Sequence, residues 1–287
     1  MNTKLLPMKN ITSRTVRNSL IALALATSPH SLFAATLLSD NFAGSVGTQP
    51  AGWYGVGGAG GSSPLIATGA AALPGNVVQF TGTSGNSNFV APFASTTLAN
   101  TGDSITFTLN FQRIDSITAT GPLIGLYYSN GTPITANHFS ASPSPTANDL
   151  GYQTWKIMNT GTSDLKIAGT NAGAFNQYVG VDNTVSSGIT ATNTDAYSVT
   201  LTLARTALGL DITAGFGSYT APAFSIAHAN VLTYTFDQAV ITGSSAITAG
   251  TSNFDNVVVT TTIPEPATWA LLAFSLTTVM VLRRRRA

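Results

Sequence analysis

The 287-residue chain contains no cysteine and a single glutamate, and only 8% of its residues are charged. Without cysteine, no disulfide bond stabilises the fold, and a tetrahedral zinc site would need both His138 and His228 with two aspartates. Hydrolysis of a glycosidic bond needs two carboxylates that flank the bond. The one glutamate is Glu265, and the ten aspartates include no D-x-D pair at strand spacing. We therefore expect no catalytic residues of glycosidase type and no zinc.

Basic residues are scarce outside the two ends of the chain. Between Thr36 and Thr262, four basic residues stand against ten aspartates, so this segment carries a net charge of −6. Nucleic-acid binding depends on cations that neutralise phosphates, and docking to anionic lipid headgroups depends on them as well. The charge balance therefore excludes nucleic acid as an expected partner.

The first 35 residues have the pattern of a secretory signal peptide. Four basic residues precede the apolar run Leu20–Ala26, and Pro29 ends that run. Small residues at Ala34 and Ala35 offer a cleavage position. Because seven apolar residues are too few to cross a bilayer, a transmembrane helix is excluded here. We expect residues 1–35 to direct export through the secretion translocon and to be removed by signal peptidase.

The last 25 residues contain a proline-glutamate-proline triplet, an uncharged segment and a terminal cluster of arginines. Pro264, Glu265 and Pro266 precede sixteen uncharged residues, 267–282, which are followed by Arg283, Arg284, Arg285 and Arg286. As a helix, 16 residues reach about 24 Å, which is short for a bilayer core of about 30 Å, and the arginines can extend toward the headgroups. Because the arginines lie on only one side of the apolar segment, the C-terminus is predicted to be cytoplasmic.

The order of proline-glutamate-proline triplet, apolar helix and terminal arginines resembles a PEP-CTERM sorting signal. The resemblance covers residues 263–287. It implies recognition of Pro264, Glu265 and Pro266 and of the arginine cluster by an exosortase-type membrane processing enzyme in a bacterium that makes extracellular polysaccharide. The alternative is an ordinary single-pass anchor with a proline-rich stalk. Both interpretations predict an exported protein that is first held at the inner membrane, and the sorting signal adds later delivery to the cell surface or the extracellular space.

The segment 36–262 has the period-two pattern of an all-β domain. In Ser104–Arg113, Ile105, Phe107, Leu109 and Phe111 alternate with polar residues, as in a strand with one buried face. Ten further strands are predicted, with an Asn130-Gly131 turn among them and a long loop at Ala43–Ser63. The other predicted strands are Thr36–Phe42, Val77–Thr81, Asn88–Ala91, Leu123–Tyr128, Tyr152–Met158, Leu165–Ala168, Tyr197–Ala204, Leu210–Phe216, Leu232–Ile241 and Phe254–Thr262. About eleven strands in one block predict two packed antiparallel sheets.

The ends of this domain carry short matching motifs. Asp40-Asn41-Phe42 near the start and Phe254-Asp255-Asn256-Val257 near the end resemble the first and last strands of concanavalin A-like jelly rolls, the laminin-G and lectin-like group. The resemblance implies that these two strands lie side by side. A different β-sandwich or a β-helix remains the alternative. Glycosidases of the laminarinase type on this fold use paired glutamates, which this segment lacks.

Two sets of residues are candidates for binding. If the terminal strands pair, Asp40 and Asp255 become neighbours, and hard carboxylate oxygens suit calcium, which related jelly rolls often carry. The competing interpretation is that both aspartates bond nearby backbone amides. Trp53 and Tyr54 lie in the predicted glycine-rich loop, where exposed rings would stack on sugar faces. The competing interpretation is that these rings belong to the core or to a sheet edge, since aromatic residues dominate the cores of β-sandwiches. No other cofactor is expected.

The leading functional hypothesis from sequence is a non-enzymatic one. It describes an exported protein that acts as a structural or adhesive component associated with extracellular polysaccharide. A carbohydrate-binding lectin-like domain is the second hypothesis. A secreted hydrolase with an unfamiliar site is the third.

Overall fold

The computed structural model describes residues 32–57, 63, 65–81, 87–114, 120–139, 145–157, 164–170, 182–186, 188, 189, 192, 194–243 and 251–264. Ala34–Ile263 forms one compact unit. Of the predicted signal peptide, residues 1–31 lie outside the described residues, and its last four residues, 32–35, belong to the first strand, Leu32–Asp40. The predicted sorting residues from Glu265 onward also lie outside the described residues. Within the described part, no helix is long and apolar enough to span a bilayer.

The described residues form sixteen strands and one short 3-10 turn, His228–Asn230. Sheet A contains β1 (Leu32–Asp40), β3 (Leu65–Thr68), β4 (Asn76–Thr81), β6 (Ser104–Arg113), β11 (Ala196–Arg205), β12 (Gly209–Phe216), β13 (Tyr219–Thr220), β14 (Phe224–Ala227) and β16 (Thr251–Pro264). Sheet B contains β2 (Tyr54–Gly57), β5 (Ser87–Thr97), β7 (Thr120–Tyr128), β8 (Leu150–Ile157), β9 (Asp164–Thr170), β10 (Asp182–Ser186) and β15 (Thr235–Gly243).

The strand orders show that neighbours in space are often distant in the chain. Sheet A runs β13-β12-β11-β6-β16-β4-β3, with β1 also paired to β16 and β14 to β12. Sheet B runs β10-β9-β8-β7-β15-β5-β2. The strand pairs whose register is known are antiparallel, including the predicted hairpin of β11 and β12, in which Arg205 lies opposite Leu210. The predicted all-β, antiparallel, two-sheet fold is confirmed.

The hydrophobic core lies between the two sheets. The alternating residues Ile105, Phe107, Leu109 and Phe111 of β6 are at most 1% exposed, as predicted. One contiguous cluster joins them to side chains of sheet B such as Phe236. Burial of this cluster removes many aromatic and aliphatic side chains from water, at about 1.5–3 kcal/mol for each fully buried Val, Leu, Ile or Phe side chain. The alternation thus selects which face of each strand packs inward.

The sequence predictions differ from the structure mainly at short edge strands. Five strands of two to five residues, β2, β3, β10, β13 and β14, were not predicted, because such lengths show too little alternation for a period-two pattern. The loop predicted at Ala43–Ser63 is wrong in part, because Tyr54–Gly57 forms the edge strand β2. The strand predicted from Leu232 begins at Thr235. Gln112, expected to face solvent, is 3% exposed.

The two terminal strands pair, as the motif at the domain ends predicted. β1 lies beside β16 in sheet A. β16 continues in extended conformation to Pro264, the first residue of the proline-glutamate-proline triplet. The described part of this strand therefore reaches the first residue of the triplet.

Candidate functional site

The predicted pair of aspartates comes together at the junction of the terminal strands. The pKa of Asp255 is raised, first by burial and then by the negative charge of Asp40, while the backbone N–H of Asn256 opposes the rise. Two like charges in a partly desolvated setting repel each other, so the ionised form of Asp255 is disfavoured. The charge of Asp40 thus acts on Asp255, and calcium binding at this pair stays a prediction.

Each oxygen of these two carboxylates already accepts a hydrogen bond from the protein. Asp40 Oδ1 accepts from the backbone N–H of Phe42 at 2.6 Å, and Oδ2 accepts from Trp53 Nε1 at 2.8 Å. Asp255 Oδ1 accepts from the backbone N–H of Asn256 at 2.7 Å, and Oδ2 accepts from the Asn256 side-chain amide at 3.1 Å. This is the local amide bonding that competes with calcium as the role of the pair.

The backbone at both aspartates explains why the bonding is local. Phe42 and Asn256 have positive φ angles of 55° and 50°, in the left-handed region. At Asn256 the strand β16 bulges, because the register against β6 shifts between Asp255 and Val258. A bulge re-aims neighbouring side chains, and a preceding aspartate stabilises the turned backbone by accepting its N–H. No group of three or more His, Asp or Glu side chains that could hold a metal occurs among the described residues.

Trp53 is buried, as in the interpretation that places its ring in the core. Its side chain is 1% exposed, and its ring packs against Phe42 with a centroid distance of 5.6 Å. Tyr54 is half-buried at the start of β2 and packs against a small apolar cluster. Asp40 fixes the indole N–H, so Trp53 contributes to the fold where the terminal strand meets the core.

A second polar arrangement, which sequence reasoning missed, lies on the face of sheet B that points away from the core. We call this face the outer face of sheet B. Side chains alternate along β15, where Ala239 and Ile241 join the core and Gln238, Val240 and Thr242 take the opposite side. The three outward residues are at most 1% exposed. This face is therefore covered rather than solvated.

The cover is the segment after β7, residues 129–139, which we call the covering segment. Ile134 is 3% exposed and joins Val56, Val90, Tyr127 and Val240 in one apolar cluster. The far end of the segment adds to the edge of sheet B, since His138 N–H donates to Gly55 O at 2.8 Å and His138 O accepts from Gly57 N–H at 2.9 Å. The predicted Asn130-Gly131 turn opens the segment, with φ angles of 49° and 88°.

Tyr127 lies flat on the outer face because two glycines make room for its ring. A Cβ at Gly151 would stand 2.4 Å from Tyr127 Cδ1, and a Cβ at Gly125 would stand 2.3 Å from Tyr127 Cε2. The phenol O–H donates to Gln153 Oε1 at 2.7 Å. An aromatic ring over strand glycines fills the space that their missing side chains leave and helps to fix register.

The ends of the 129–149 connection meet at one irregularity in β15. The register against β5 shifts between Phe236 and Gln238. Asp237 accepts from the backbone N–H of Ser129 at 2.8 Å and from its hydroxyl at 2.6 Å. The next residue, Gln238, donates to Asp149 Oδ2 at 2.5 Å. Two successive polar residues of one bulge therefore hold both ends of the connection.

The Asp149 carboxyl has a strongly raised pKa. Asp149 is 2% exposed. Burial raises its pKa to about 7, the hydrogen bond from Gln238 opposes the rise, and the charge of Asp237 adds to it. Within the described part of the chain, Asp149 Oδ1, Gln238 Oε1 and Gln153 Nε2 have no hydrogen-bond partner. A carboxyl with a pKa near neutrality can hold or release a proton at physiological pH, so this cluster can respond to pH.

Little in the sequence could have located this cluster. Asp149 and Gln238 are 89 positions apart. Each lies in a polar stretch without a motif, and their contact depends on β7, β8 and β15 lying side by side. The adjacent Asp237 and Gln238 interrupt the alternation of β15, and such an interruption is the only sequence sign of a bulge.

No protein-family model matches the sequence, and no curated protein sequence matches it either. The resemblance to a sorting signal therefore rests on residues 263–287 themselves.

Several solved structures are similar in shape. A carbohydrate esterase from the Shiga toxin-encoding bacteriophage phi24B is 14% identical, with 79% of this chain and 99% of that chain covered and a TM-score of 0.49. Lectin II from Ulex europaeus is 10% identical, with 82% and 99% covered and a TM-score of 0.46. An endo-1,3-beta-glucanase from Streptomyces sioyaensis is 12% identical, with 82% and 98% covered and a TM-score of 0.43. Because all identities are low and all TM-scores are below 0.5, we take no function from these proteins.

Proposed function

We propose that this protein is an exported, non-enzymatic component of an extracellular polysaccharide matrix, with a structural or adhesive role, and that a membrane enzyme of the exosortase type processes it at its C-terminal signal. The domain is proposed to be a jelly roll of the concanavalin A-like kind, which the pairing of its first and last strands supports. The observation that carries the proposal is that β16 extends as far as Pro264, the first residue of the triplet. An ordered sheet strand leads into the triplet, so a processing enzyme would meet the triplet directly beside the folded domain.

The charge of the domain agrees with a role among neutral or weakly charged partners. The segment 36–262 has a net charge of −6 and only four basic residues. On the outward side of sheet A, a row of threonines crosses four strands: Thr213, Thr202, Thr106 and Thr260 are cross-strand partners in turn. Hydroxyl groups both donate and accept hydrogen bonds, as the hydroxyls of a polysaccharide do.

The processing step is tested by mass spectrometry of the mature C-terminus in cells that make the protein. A chain that ends near Pro264–Pro266 supports sorting, and Glu265→Gln should leave more of the unprocessed precursor. The matched control is Asp255→Asn, an isosteric change ten residues upstream that leaves the triplet intact. Mature protein that still carries Arg283–Arg286 would mean a simple membrane anchor and would overturn the sorting proposal.

The matrix role is tested by co-sedimentation of the mature protein with the polysaccharide of the same cells. Retention with the polysaccharide supports an adhesive role, and free protein argues against it. Release of reducing sugar from the polysaccharide would instead favour a hydrolase.

A carbohydrate-binding domain with a defined sugar site is the second candidate. It is favoured by the amide side chains on the outer face of sheet B, where Asn88 Oδ1, Gln153 Nε2 and Gln238 Oε1 are buried and have no hydrogen-bond partner among the described residues. Such groups are costly to leave unpaired, and sugar hydroxyls would satisfy them once the covering segment moves off this face, since the three side chains are at most 8% exposed while it is seated. A glycan array with the mature protein distinguishes the two: a hit lost in Gln153→Ala and kept in Trp53→Phe supports a site on this face.

A further inference from the structure

The covering segment is attached to sheet B in two chemically different ways. At its far end, backbone hydrogen bonds between His138 and β2 do not depend on pH. In its middle, Ile134 packs on Tyr127 and Val240. At its near end, Ser129 is held by the carboxylate of Asp237. Among the described hydrogen bonds of this segment, those at the near end have an ionisable side chain, Asp237, as the acceptor.

A second carboxyl stands beside that attachment. Asp149 is 2% exposed, and the charge of Asp237 acts on it. Asp149 also closes the return of the connection, because its N–H donates to Thr146 O at 3.2 Å. Thr132 of the covering segment donates to Asn148, the residue before Asp149, at 3.2 Å. One hydrogen bond thus joins the covering segment to the residue next to Asp149.

The groups around Asp149 suit a protonated carboxyl better than an ionised one. From β15 it faces Asp237, which is negative, and Gln238, which is neutral. In the described part of the chain, no lysine, arginine or histidine forms an ion pair or hydrogen bond with either carboxyl. Its Oδ1 has no partner. An ionised, desolvated carboxylate without a cation is strongly disfavoured, so ionisation strains this junction.

We propose that Asp149 and Asp237 form a proton-operated latch: the covering segment stays seated on the outer face of sheet B while Asp149 is protonated, and it loosens when Asp149 ionises beside Asp237. Opening lets water reach Asp149 and relieves the repulsion. It also uncovers Val90, Tyr127 and Val240, an apolar surface that is closed in the latched state. The latch does not depend on the matrix role, and its test is separate from those of the proposed function.

The direction follows from proton linkage. The Asp149 carboxyl has a pKa of about 7 in the closed state and an ordinary value of 3.8. The closed state therefore binds the proton more tightly, and closure is lost as pH rises through about 7. Between about pH 5.5 and about pH 8, the opening equilibrium should increase roughly thirty-fold if Asp149 is fully solvated when open.

The experiment is hydrogen exchange with mass spectrometry on the full chain in mild detergent at about pH 5.5 and about pH 8, corrected for intrinsic exchange with an unfolded reference. Peptides from residues 129–139 should exchange roughly thirty-fold faster at the higher pH after correction. Peptides from β6 should not change, which separates latch opening from global unfolding. Equal corrected rates for residues 129–139 at both pH values would overturn the proposal.

Variants test whether the pH dependence of hydrogen exchange in residues 129–139 arises at the latch. Asp149→Asn should keep the segment closed at both pH values, and Asp211→Asn, a carboxyl on sheet A with one hydroxyl partner at 2.6 Å, should retain the wild-type response. Ile134→Ala should speed exchange at both pH values. A pH response that persists in Asp149→Asn would refute the latch. Should that variant fail to fold, carbon NMR of the wild-type Asp149 carboxyl decides: ionisation near pH 4 would refute it, and ionisation near neutrality would support it.

Discussion

Replacement of Asp40 should lower the free energy of unfolding by more than replacement of an ordinary half-buried aspartate does. The Asp40 carboxylate accepts from Phe42 N–H at 2.6 Å and from Trp53 Nε1 at 2.8 Å. Phe42 and Trp53 are each 1% exposed. In Asp40→Ala both donors lose their acceptor, and water has little access to the buried indole. An orphaned buried donor costs about 1–3 kcal/mol, so the loss should be about 3 kcal/mol in total.

The variants form a graded series. Asp40→Asn keeps one acceptor and turns an amide N–H₂ toward the second donor, so we expect about 2 kcal/mol. Trp53→Phe keeps a ring against Phe42 but removes the indole N–H. The double variant Asp40→Asn with Trp53→Phe should lose less stability than the sum of the losses in the two single variants, because both substitutions affect the same hydrogen bond. Urea denaturation followed by circular dichroism measures all four proteins.

The same series separates hydrogen bonding from calcium binding. If the Asp40 bonds stabilise the junction, a chelator leaves the melting temperature of the wild type unchanged, and Asp40→Ala lowers it by about 6–12 °C, at 2–4 °C per kcal/mol for a domain of this size. A wild-type melting temperature that falls on chelation, with no further effect of chelator on Asp40→Ala, would refute this reasoning. It would also support the calcium site predicted at Asp40 and Asp255.

Three further predictions concern single positions. Gly151→Ala should destabilise the domain by about 2–3 kcal/mol, because the new Cβ would stand 2.4 Å from Leu126 O and from the Tyr127 ring. An unchanged melting temperature would contradict the idea that Gly151 makes room for the Tyr127 ring. Tyr127→Phe should cost about 1–3 kcal/mol in urea denaturation, since Gln153 Oε1 loses its buried donor; a neutral effect would contradict the buried hydrogen bond. Because the pKa of Asp255 is raised, its contribution to stability is lost as pH rises, so Asp255→Asn should gain stability over the wild type from pH 4 to pH 7; a gain that does not grow with pH would contradict the raised pKa.

The sequence predicted those strands in which apolar and polar residues alternate over enough positions to be recognised. β6 is the clearest case, with four core residues separated by polar ones over ten positions. β13 has two residues and β14 has four, and they form only because β12 offers them a free edge. Edge pairing is a property of the neighbouring strand, so it leaves little trace in the paired segment itself.

The candidate sites divide in the same way. Asp40 and Asp255 were found because each lies within a terminal-strand motif. For Trp53 the sequence left both an exposed and a buried ring open, because a glycine-rich neighbourhood predicts a loop but does not say on which side the indole lies. Asp40 draws the indole inward from 13 positions away. For the Asp149 cluster, the interrupted alternation at Asp237 and Gln238 indicates a bulge but does not say which residues contact it.

What the sequence by itself determined is what depends on composition and on short-range order. The absence of cysteine, the scarcity of basic residues between positions 36 and 262, and the period-two pattern establish an acidic, disulfide-free, all-β domain. These properties follow from each segment alone, because the partition of side chains between core and water requires no knowledge of partners.

Only the tertiary structure decided which groups share a buried space. Strand order brings β15 between β7 and β5, and the bulge at Asp237 and Gln238 then meets Ser129 and Asp149 from more than 80 positions away. Burial of a carboxyl next to another carboxyl raises its pKa, and neither the burial nor the neighbour is encoded locally. The proton-sensitive junction therefore belongs to the fold rather than to any stretch of the chain.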